Sequence, residues 1–212
     1  MEKKRFFKRL VAFMAAFALA FTAVSVIPTQ AAESRTYTVK GKFYQSDARS
    51  MKKMINDFRT GKDAWYYSES GSKVKCSKLK SLTYDYELEK IAMERAMEIS
   101  VLFSHTRPNG ESCFSLFPSS YQALGENIAM GTNFYMTTDT TFEMWQETDC
   151  DYNGQGHRRN MLSESFTCVG IACFEIDGDK YWVQEFGNPN SGAKKTKAYN
   201  KTKTKKIKYV KQ

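Results

Sequence analysis

Residues 166–176 form an apolar run that constrains the fold more than any other part of the chain. In an extended strand, alternate side chains point to opposite faces, and here both faces are apolar. A strand of that kind is typical of the middle of a sheet that is covered on both sides. Asp177-Gly178 then predicts a hairpin turn, and residues 180–187 predict the partner strand. The two alternating sets are Val169, Ile171 and Cys173 on one face, and Cys168, Ala172 and Phe174 on the other.

Three segments upstream of this hairpin carry helical patterns. Residues 48–60 place apolar side chains at helical spacing, and Gly61 supplies a stop. Asp85 is typical of a helix N-cap, and the apolar face after it predicts a helix that runs as far as Ser104. Residues 140–145 predict a shorter helix. Helices first and a hairpin last favour an α+β fold, in which helices pack on a sheet.

The first 31 residues have the composition of a bacterial secretory signal. Five basic residues precede an apolar run over residues 10–27, and Thr29-Gln30-Ala31 offers the small side chains that a signal peptidase recognises. The pattern predicts cleavage after Ala31 or Ala32 and export of the remainder. The alternative is an uncleaved membrane anchor, since the apolar run is about long enough to span a bilayer.

The net charge of +9 is distributed unevenly along the chain. Residues 1–31 carry +4, and residues 194–212 carry nine lysines and no acid, so the body between them is mildly acidic. An acidic body excludes a nucleic-acid-binding domain. The basic end predicts a disordered, solubilising tail or a contact with anionic wall polymers or lipid headgroups. We therefore predict a signal peptide at 1–31, a leader with a short edge strand at 32–47, a globular domain at 48–190 and a disordered Lys-rich tail at 191–212.

Five cysteines are present, and export would permit disulfides between them. An odd number leaves at least one thiol unpaired within the molecule, and two bridges among five cysteines allow 15 arrangements. Cys168 and Cys173 point to opposite faces of one strand, so they are not expected to bridge each other. The absence of a CxxC pair argues against a zinc ribbon and a thioredoxin-type motif.

The chain holds only two histidines, His105 and His157. His105 follows the long predicted helix, and His157 opens a short helical run that precedes the central strand. An imidazole where a loop meets a sheet is typical of binding sites, although a partly buried histidine beside a solvated basic turn would look the same. Glu126 either faces solvent at the edge of a helix or is a buried carboxylate that needs a partner.

Several segments together resemble the bacterial branch of the CAP superfamily, also called the SCP-like extracellular domain. The resemblance covers roughly residues 48–188, and it rests on the order of the segments rather than on any one of them. The segments are 54–59, 94–96, Phe103-Ser104-His105-Thr106-Arg107-Pro108-Asn109-Gly110, Gly125-Glu126-Asn127-Ile128-Ala129, Gly156-His157-Arg158-Arg159-Asn160-Met161-Leu162, Val169-Gly170-Ile171 and 181–187.

The resemblance implies a three-layer α-β-α sandwich with a surface cleft. In many members, two histidines and two glutamates line that cleft and can hold a divalent metal. By motif position the histidines are His105 and His157, and the first glutamate is Glu126. Imidazole and carboxylate groups are ligand types that zinc accepts, so zinc or another divalent metal is the expected cofactor.

The second glutamate departs from the family pattern. In animal and plant relatives it stands three residues after a helix tryptophan, which is Trp145 here, so its position is taken by Thr148. Glu147 and Glu143 are the nearest alternatives as metal ligands. The following loop is longer than in bacterial relatives and adds two substitute ligands, Asp149 and Asp151.

The resemblance leaves two classes of function open and does not decide whether the chain is an enzyme. In the first, a secreted CAP domain is a binding module whose cleft takes a metal, lipid, glycan or protein partner, with Glu126 orienting a ligating histidine. In the second, it is a metal-assisted or general-base hydrolase of peptide or cell-wall material, with His105, Glu126 and His157 as catalytic candidates. No HExxH or GxSxG motif supports the second class.

Two further interpretations concern the same residues. Cys113 could act as a nucleophile with His105 as its base, eight residues away across a turn. Alternatively, the histidines and glutamates form a hydrogen-bonded network in the core and bind no ligand. The signal and the basic tail together predict a secreted, extracellular or cell-wall-associated protein.

Overall fold

The computed structural model describes residues 33–211, which fold around one mixed sheet with helices on both faces. In chain order the elements are β1 Ser34–Phe43, α1 Gln45–Thr60, β2 Trp65–Tyr67, β3 Lys73–Lys75, β4 Thr83–Tyr84, α2 Tyr86–Ile99, a 3₁₀ turn Cys113–Leu116, β5 Ala123–Thr132, α3 Thr138–Gln146, α4 Gly156–Met161, β6 Cys168–Ile176, β7 Asp179–Asn188 and β8 Thr202–Val210.

The central hairpin lies where the sequence predicts it. The main sheet has the strand order β5-β7-β6-β1-β8, and the short β4 pairs with β6 outside this path. β6 and β7 are antiparallel and joined at Asp177-Gly178, where both residues have positive φ as a tight hairpin turn requires. β5 lies on the other side of β7, and Glu126 faces Glu185 across that pair.

Both faces of β6 are buried, which explains its continuous apolar run. Val169, Ile171 and Cys173 pack in the cluster formed with α1, α3 and α4. Ala172 and Phe174 pack in the cluster on the α2 side. The predicted α+β class and the three-layer α-β-α arrangement are confirmed.

Helix α2 begins as predicted but ends earlier. The Asp85 side chain accepts bonds from the amides of Glu87 and Leu88, at 2.8 and 3.3 Å. Close packing on the sheet depends on Gly170, because a Cβ there would collide with the α2 backbone. The helix ends at Ile99, so the prediction of a helix as far as Ser104 was wrong. His105 therefore lies in a loop and not in the last turn of a helix.

The Lys-rich end is ordered, which corrects the prediction of a disordered tail at 191–212. All nine residues of β8 pair antiparallel with β1, from Lys42 opposite Thr202 to Ser34 opposite Val210. The leader is correspondingly a ten-residue strand rather than a short one. Charge density suggested disorder, but every second residue of β8 turns toward α2, where Ile207 is buried and Lys205 pairs with Glu94.

Polar contacts hold the segment between β7 and β8 against the rest of the domain. Ser191 bonds the Asp85 carboxylate through its amide and its hydroxyl, both at 2.6 Å. Arg49 donates to the Thr196 carbonyl at 2.7 Å, and Asn200 donates to the Ser46 hydroxyl at 2.6 Å. Residues 32–47 and 191–212, which the sequence separated from the domain, therefore contribute their described parts to it.

All five cysteines are unbridged, so the expected disulfides do not form in this structure. Cys168 and Cys173 lie in different apolar clusters, on the opposite faces that their spacing predicts. The signal at 1–31 falls outside the described residues. Between residues 33 and 211, no helix combines the length and apolar character that crossing a membrane would require.

Replacing Ile207 tests whether the tail belongs to the core. We expect Ile207→Ala to lower the free energy of unfolding by about 2–4 kcal/mol, because a buried side chain leaves a cavity against α2. The neighbouring Lys206→Ala should change it by less than about 0.5 kcal/mol, since Lys206 is exposed. Urea unfolding followed by circular dichroism measures both. If both substitutions changed the free energy of unfolding by an equally negligible amount, the tail would not be part of the folded core.

Candidate functional site

A cleft of about 550 Å³ opens where the loop after α2, strand β5 and helices α3 and α4 meet. Its lining combines imidazole, carboxylate, amide and guanidinium groups rather than apolar side chains. The polar residues that line it include His105, Glu126, Asn127, Glu147, His157, Arg159 and Asn160. The structure thus brings both predicted histidines, the first predicted glutamate and one of the two alternatives for the second glutamate to one surface.

The first histidine–carboxylate pair joins His105 to Glu126. His105 is 60% exposed, whereas the Glu126 side chain, on β5, is buried. Their contact runs from Nδ1 to Oε1 at 2.7 Å. Arg95 on α2 donates from Nε to the other oxygen of Glu126, also at 2.7 Å. Burial raises the pKa of Glu126, but the bonds from His105 and Arg95 outweigh burial and leave that pKa below its usual value.

The loop that carries His105 is closed by its own backbone bonds. The Cys113 amide donates to the His105 carbonyl at 2.9 Å, and Thr106 and Ser112 form an isolated bridge. Arg95 also donates to the Ser104 carbonyl, at 2.6 Å. One buried guanidinium therefore fixes both the backbone before His105 and the carboxylate that His105 contacts.

Further ion pairs extend this support of the His105 loop away from the cleft. Glu98 on α2 accepts from Arg95 at 2.9 Å and from Arg107 at 2.7 Å. Arg107 in turn reaches Glu111 at 2.7 Å. The chain of ion pairs therefore ties the loop to the end of α2 on both sides of His105.

The second pair joins His157 to Glu147. His157 Nδ1 contacts Glu147 Oε1, and the Arg158 amide donates to the other Glu147 oxygen at 3.1 Å. Glu147 is the C-cap of α3 and takes the left-handed conformation, with φ 46° and ψ 43°. Only a few per cent of residues other than glycine adopt this conformation. The turn brings its carboxylate from the end of α3 to the start of α4.

Amide side chains connect α4 to β5 beneath the cleft. Asn160 donates to the Glu126 carbonyl at 3.2 Å and to the Asn127 side chain at 2.8 Å. Asn127 donates to the His157 carbonyl at 3.2 Å and to Gln184 at 2.9 Å. The backbone of His157 and the strand that carries Glu126, the partner of His105, therefore share one polar network.

Arg158 is buried, in contrast to the solvated basic turn that its sequence context suggested. Its guanidinium donates to the carbonyls of Trp65, Gln146 and Asp63. Burial lowers its pKa, and nearby acidic groups, Asp63 first, oppose that effect only partly. The residue anchors α4 to these carbonyls and does not line the cleft.

Glu185 is a buried carboxyl group that the sequence did not single out. It lies opposite Glu126 in the β5–β7 register, and neither of its oxygens has a hydrogen-bond partner among the described residues. Burial raises the pKa of Glu185 well above its usual value, and the neighbouring charge of Glu126 raises it further. Two carboxylates can only accept hydrogen bonds, so the pair becomes satisfied once Glu185 holds a proton.

Cys113 lies beside the first pair. One ligand atom from each of His105, Cys113 and Glu126 falls within 4.8 Å of the others. Burial raises the pKa of the Cys113 thiol to about 12, and the charge of Glu126 acts in the same direction. A thiol that stays protonated at neutral pH is a poor nucleophile, which opposes the cysteine mechanism.

The remaining predicted ligands lie elsewhere. Glu143 is exposed on α3 and does not line the cleft. Asp149 and Asp151 are also exposed and outside the lining, and Asp151 accepts a bond from the Gly154 amide. Sequence reasoning missed Arg95 as a partner of Glu126, although it interrupts the apolar stripe of α2 between Leu88 and Ile99. A charged residue on such a stripe requires a buried partner.

Glu185→Gln tests whether the carboxyl group of Glu185 is protonated in the folded protein. Because the folded-state pKa is raised, stability is greatest below the unfolded pKa of about 4.3 and is lost as pH rises toward the folded value. Glutamine mimics the neutral acid, so the variant should gain on the order of 2 kcal/mol over the parent at pH 8 and nothing near pH 4. Urea unfolding at both values measures this, with the half-buried Glu175→Gln as control. Parallel pH profiles of parent and Glu185→Gln would refute a neutral Glu185.

Comparison with known proteins identifies a family and a bacterial relative that this chain resembles. The family described as "CAP: Cysteine-rich secretory protein family" matches residues 52–186. The uncharacterized protein YkwD of Bacillus subtilis (strain 168) is 31% identical over 113 residues, which span 51% of this chain and 40% of YkwD. The match thus covers less than half of that relative's length.

Two solved structures share the fold at low sequence identity. An outer surface protein from Borrelia burgdorferi superposes with a TM-score of 0.51 and 18% identity, over 69% of this chain and 97% of that one. NaASP2 with Zn2+ gives a TM-score of 0.50 and 20% identity, over 75% and 87%. The family match over most of the described residues, the bacterial relative and the shared sandwich confirm the resemblance: this chain belongs to the CAP, or cysteine-rich secretory protein, family.

Proposed function

We propose that this CAP-family protein is a secreted binding module whose cleft holds a divalent metal ion between His105 and His157. The observation that carries the proposal is that each imidazole contacts a carboxylate through Nδ1, His105 with Glu126 and His157 with Glu147. Metal-ligating histidines typically donate their other ring N–H to a carboxylate, and both histidines of this cleft have such a contact.

The hydrogen-bond chemistry fixes which nitrogen is available. A carboxylate oxygen only accepts, so Nδ1 must carry the proton in each contact. The neutral ring then has its lone pair on Nε2. Each ring therefore offers its Nε2 atom to a metal, while Glu126 and Glu147 orient the rings.

The two glutamates are better suited to orientation than to direct ligation. Both oxygens of Glu126 are engaged, by Arg95 and His105, and both oxygens of Glu147 are engaged, by His157 and the Arg158 amide. A metal held by the histidines alone would keep open positions for a further ligand, and it would supply a Lewis acid to polarise that ligand. NaASP2, which shares the fold, was solved with Zn2+, so zinc is the first ion to test.

The same contacts favour binding over general-base hydrolysis. A general base needs a free oxygen and a pKa near the working pH. Glu126 has neither, because both its oxygens accept charged or polar donors and these donors lower its pKa. The ligand at the open positions is a lipid, a glycan or a protein partner.

The proposed location is extracellular or at the cell wall. Secretion rests on the signal predicted at residues 1–31. The ordered tail adds a contact surface, because β8 turns Lys206 and Lys208 to the same exposed face as Lys40 and Lys42 of β1. Four lysines on one ribbon would attract anionic wall polymers by screened electrostatics.

Calorimetric titration of zinc into the purified protein tests the metal site. We expect binding by the parent, and loss of the signal in His105→Ala and in His157→Ala, because each variant removes one Nε2 ligand. Thermal unfolding should show that both variants remain folded. A folded parent that neither releases heat nor gains thermal stability on adding zinc would contradict the proposal.

Glu147 and Glu143 form a matched pair for testing the orienting role. Glu147→Gln should weaken zinc binding by roughly ten- to hundredfold, since the amide no longer holds His157 as a carboxylate does. Glu143→Gln, four residues earlier and exposed, should leave zinc affinity unchanged. Competition with a colorimetric chelator measures both affinities. Equal effects of the two changes would exclude a specific role for Glu147.

A further inference from the structure

Arg159 lies at the junction of two clefts. It lines the histidine cleft and also a second cleft of about 480 Å³ beside the β2–β3 hairpin. The second cleft is formed mainly by Tyr66, Val74, Lys75, Tyr152 and Glu164. Because one side chain borders both spaces, a ligand longer than a single group could occupy them as one groove.

The guanidinium of Arg159 is positioned but not neutralised. It stacks over the Tyr152 ring at 4.1 Å and donates from Nη1 to the Tyr152 carbonyl. Across residues 33–211 it makes no ion pair, although it is only half-exposed. A guanidinium presents five N–H donors in a planar fork that matches a carboxylate, so donors remain for an incoming anion.

None of the acidic residues near Arg159 neutralises its charge. Both oxygens of Glu126 and both oxygens of Glu147 already accept hydrogen bonds from other donors. In the second cleft Lys75 and Glu164 are both exposed and carry opposite charges. Within residues 33–211, no acid that lines either cleft forms an ion pair with Arg159, and a partly desolvated charge is stabilised by a counter-charge.

The outer edge of strand β3, which contributes Lys75 to the second cleft, can pair with an extended peptide backbone. In the β2–β3 ladder the Cys76 amide bonds the Ala64 carbonyl and the Ser68 amide bonds the Ser72 carbonyl, with Tyr66 opposite Val74 between them. Hydrogen-bonded and non-hydrogen-bonded pairs alternate along an antiparallel ladder. The backbone groups of Lys73 and Lys75 therefore point away from β2, off the outer edge of β3. A free edge of this kind binds peptides by adding a strand.

We propose that the groove binds an extended peptide carrying a free carboxylate, with Arg159 as the residue that binds that carboxylate and the β3 edge as the backbone contact. This inference rests on the proposed role of the cleft as a binding site and names the ligand class. It does not require zinc.

The test compares two labelled peptides of equal length by fluorescence anisotropy. One is acetyl-Val-Thr-Val-Glu with a free terminus, and the other is acetyl-Val-Thr-Val-Gln amide, each labelled through the same linker. We expect the parent to prefer the acidic peptide. Arg159→Gln should weaken acidic-peptide binding by roughly ten- to hundredfold and remove the preference, because a charged hydrogen bond is lost. Arg159→Lys keeps the charge but not the fork and should lie between them.

Controls separate this inference from the metal site. Arg35→Gln, an exposed arginine on β1 outside both clefts, should bind like the parent. Arg159→Gln should remain folded in thermal unfolding, and the parent should prefer the acidic peptide both with and without added zinc. Equal binding of the two peptides by the parent, or unchanged acidic-peptide binding by folded Arg159→Gln, would overturn the proposal. So would binding of a uronic-acid oligosaccharide with no binding of either peptide.

Discussion

The buried ion pair between Arg95 and Glu126 is the interaction on which the rest of the site depends. It joins α2 to β5, and both side chains are almost completely excluded from solvent. Removing one partner of such a pair costs about 3–5 kcal/mol, because the other charge stays buried and unpaired. The same arginine holds the Ser104 carbonyl, and the same glutamate holds His105. The first half of the cleft is therefore built on core electrostatics rather than on its own loop.

That dependence explains why several charged residues tolerate burial near one another. Arg95 and Arg107 share Glu98, Arg95 also pairs with Glu126, and Arg107 also pairs with the exposed Glu111, so two cations serve two buried carboxylates and one exposed one. A further buried carboxylate would exceed the available positive charge. Burial and the charge of Glu126 raise the pKa of Glu185, and a protonated Glu185 would be a hydrogen-bond donor rather than a repelling neighbour of Glu126. The strand register that places the two glutamates opposite each other thereby becomes stable.

Most of the fold could be predicted because its signals are local and periodic. The apolar run of β6, the Asp177-Gly178 turn and the Asp85 cap each specify one element. The features that could not be predicted depend on contacts distant in sequence. The tail lysines indicated disorder until a partner strand, β1, supplied nine backbone pairings. Glu126 could be a buried or an exposed acid, since the answer lies in Arg95, 31 residues away. Glu147 could not be chosen over Glu143 because its reach depends on a left-handed turn.

The two halves of the cleft differ in how firmly they are held, and this difference bears on binding. His105 projects into solvent, but its carboxylate is fixed in the core, whereas His157 and Glu147 both sit at helix ends near the surface. A ligand that bridges them would connect the loop after α2 to the turn between α3 and α4. Binding to the folded state alone stabilises it by RT ln(1 + c/Kd), where c is the free ligand concentration, so the stabilisation rises with the logarithm of c divided by Kd. The gain in stability should fall chiefly on the turn between α3 and α4. The loop after α2 gains less, because the Arg95–Glu126 pair already orders it without any ligand.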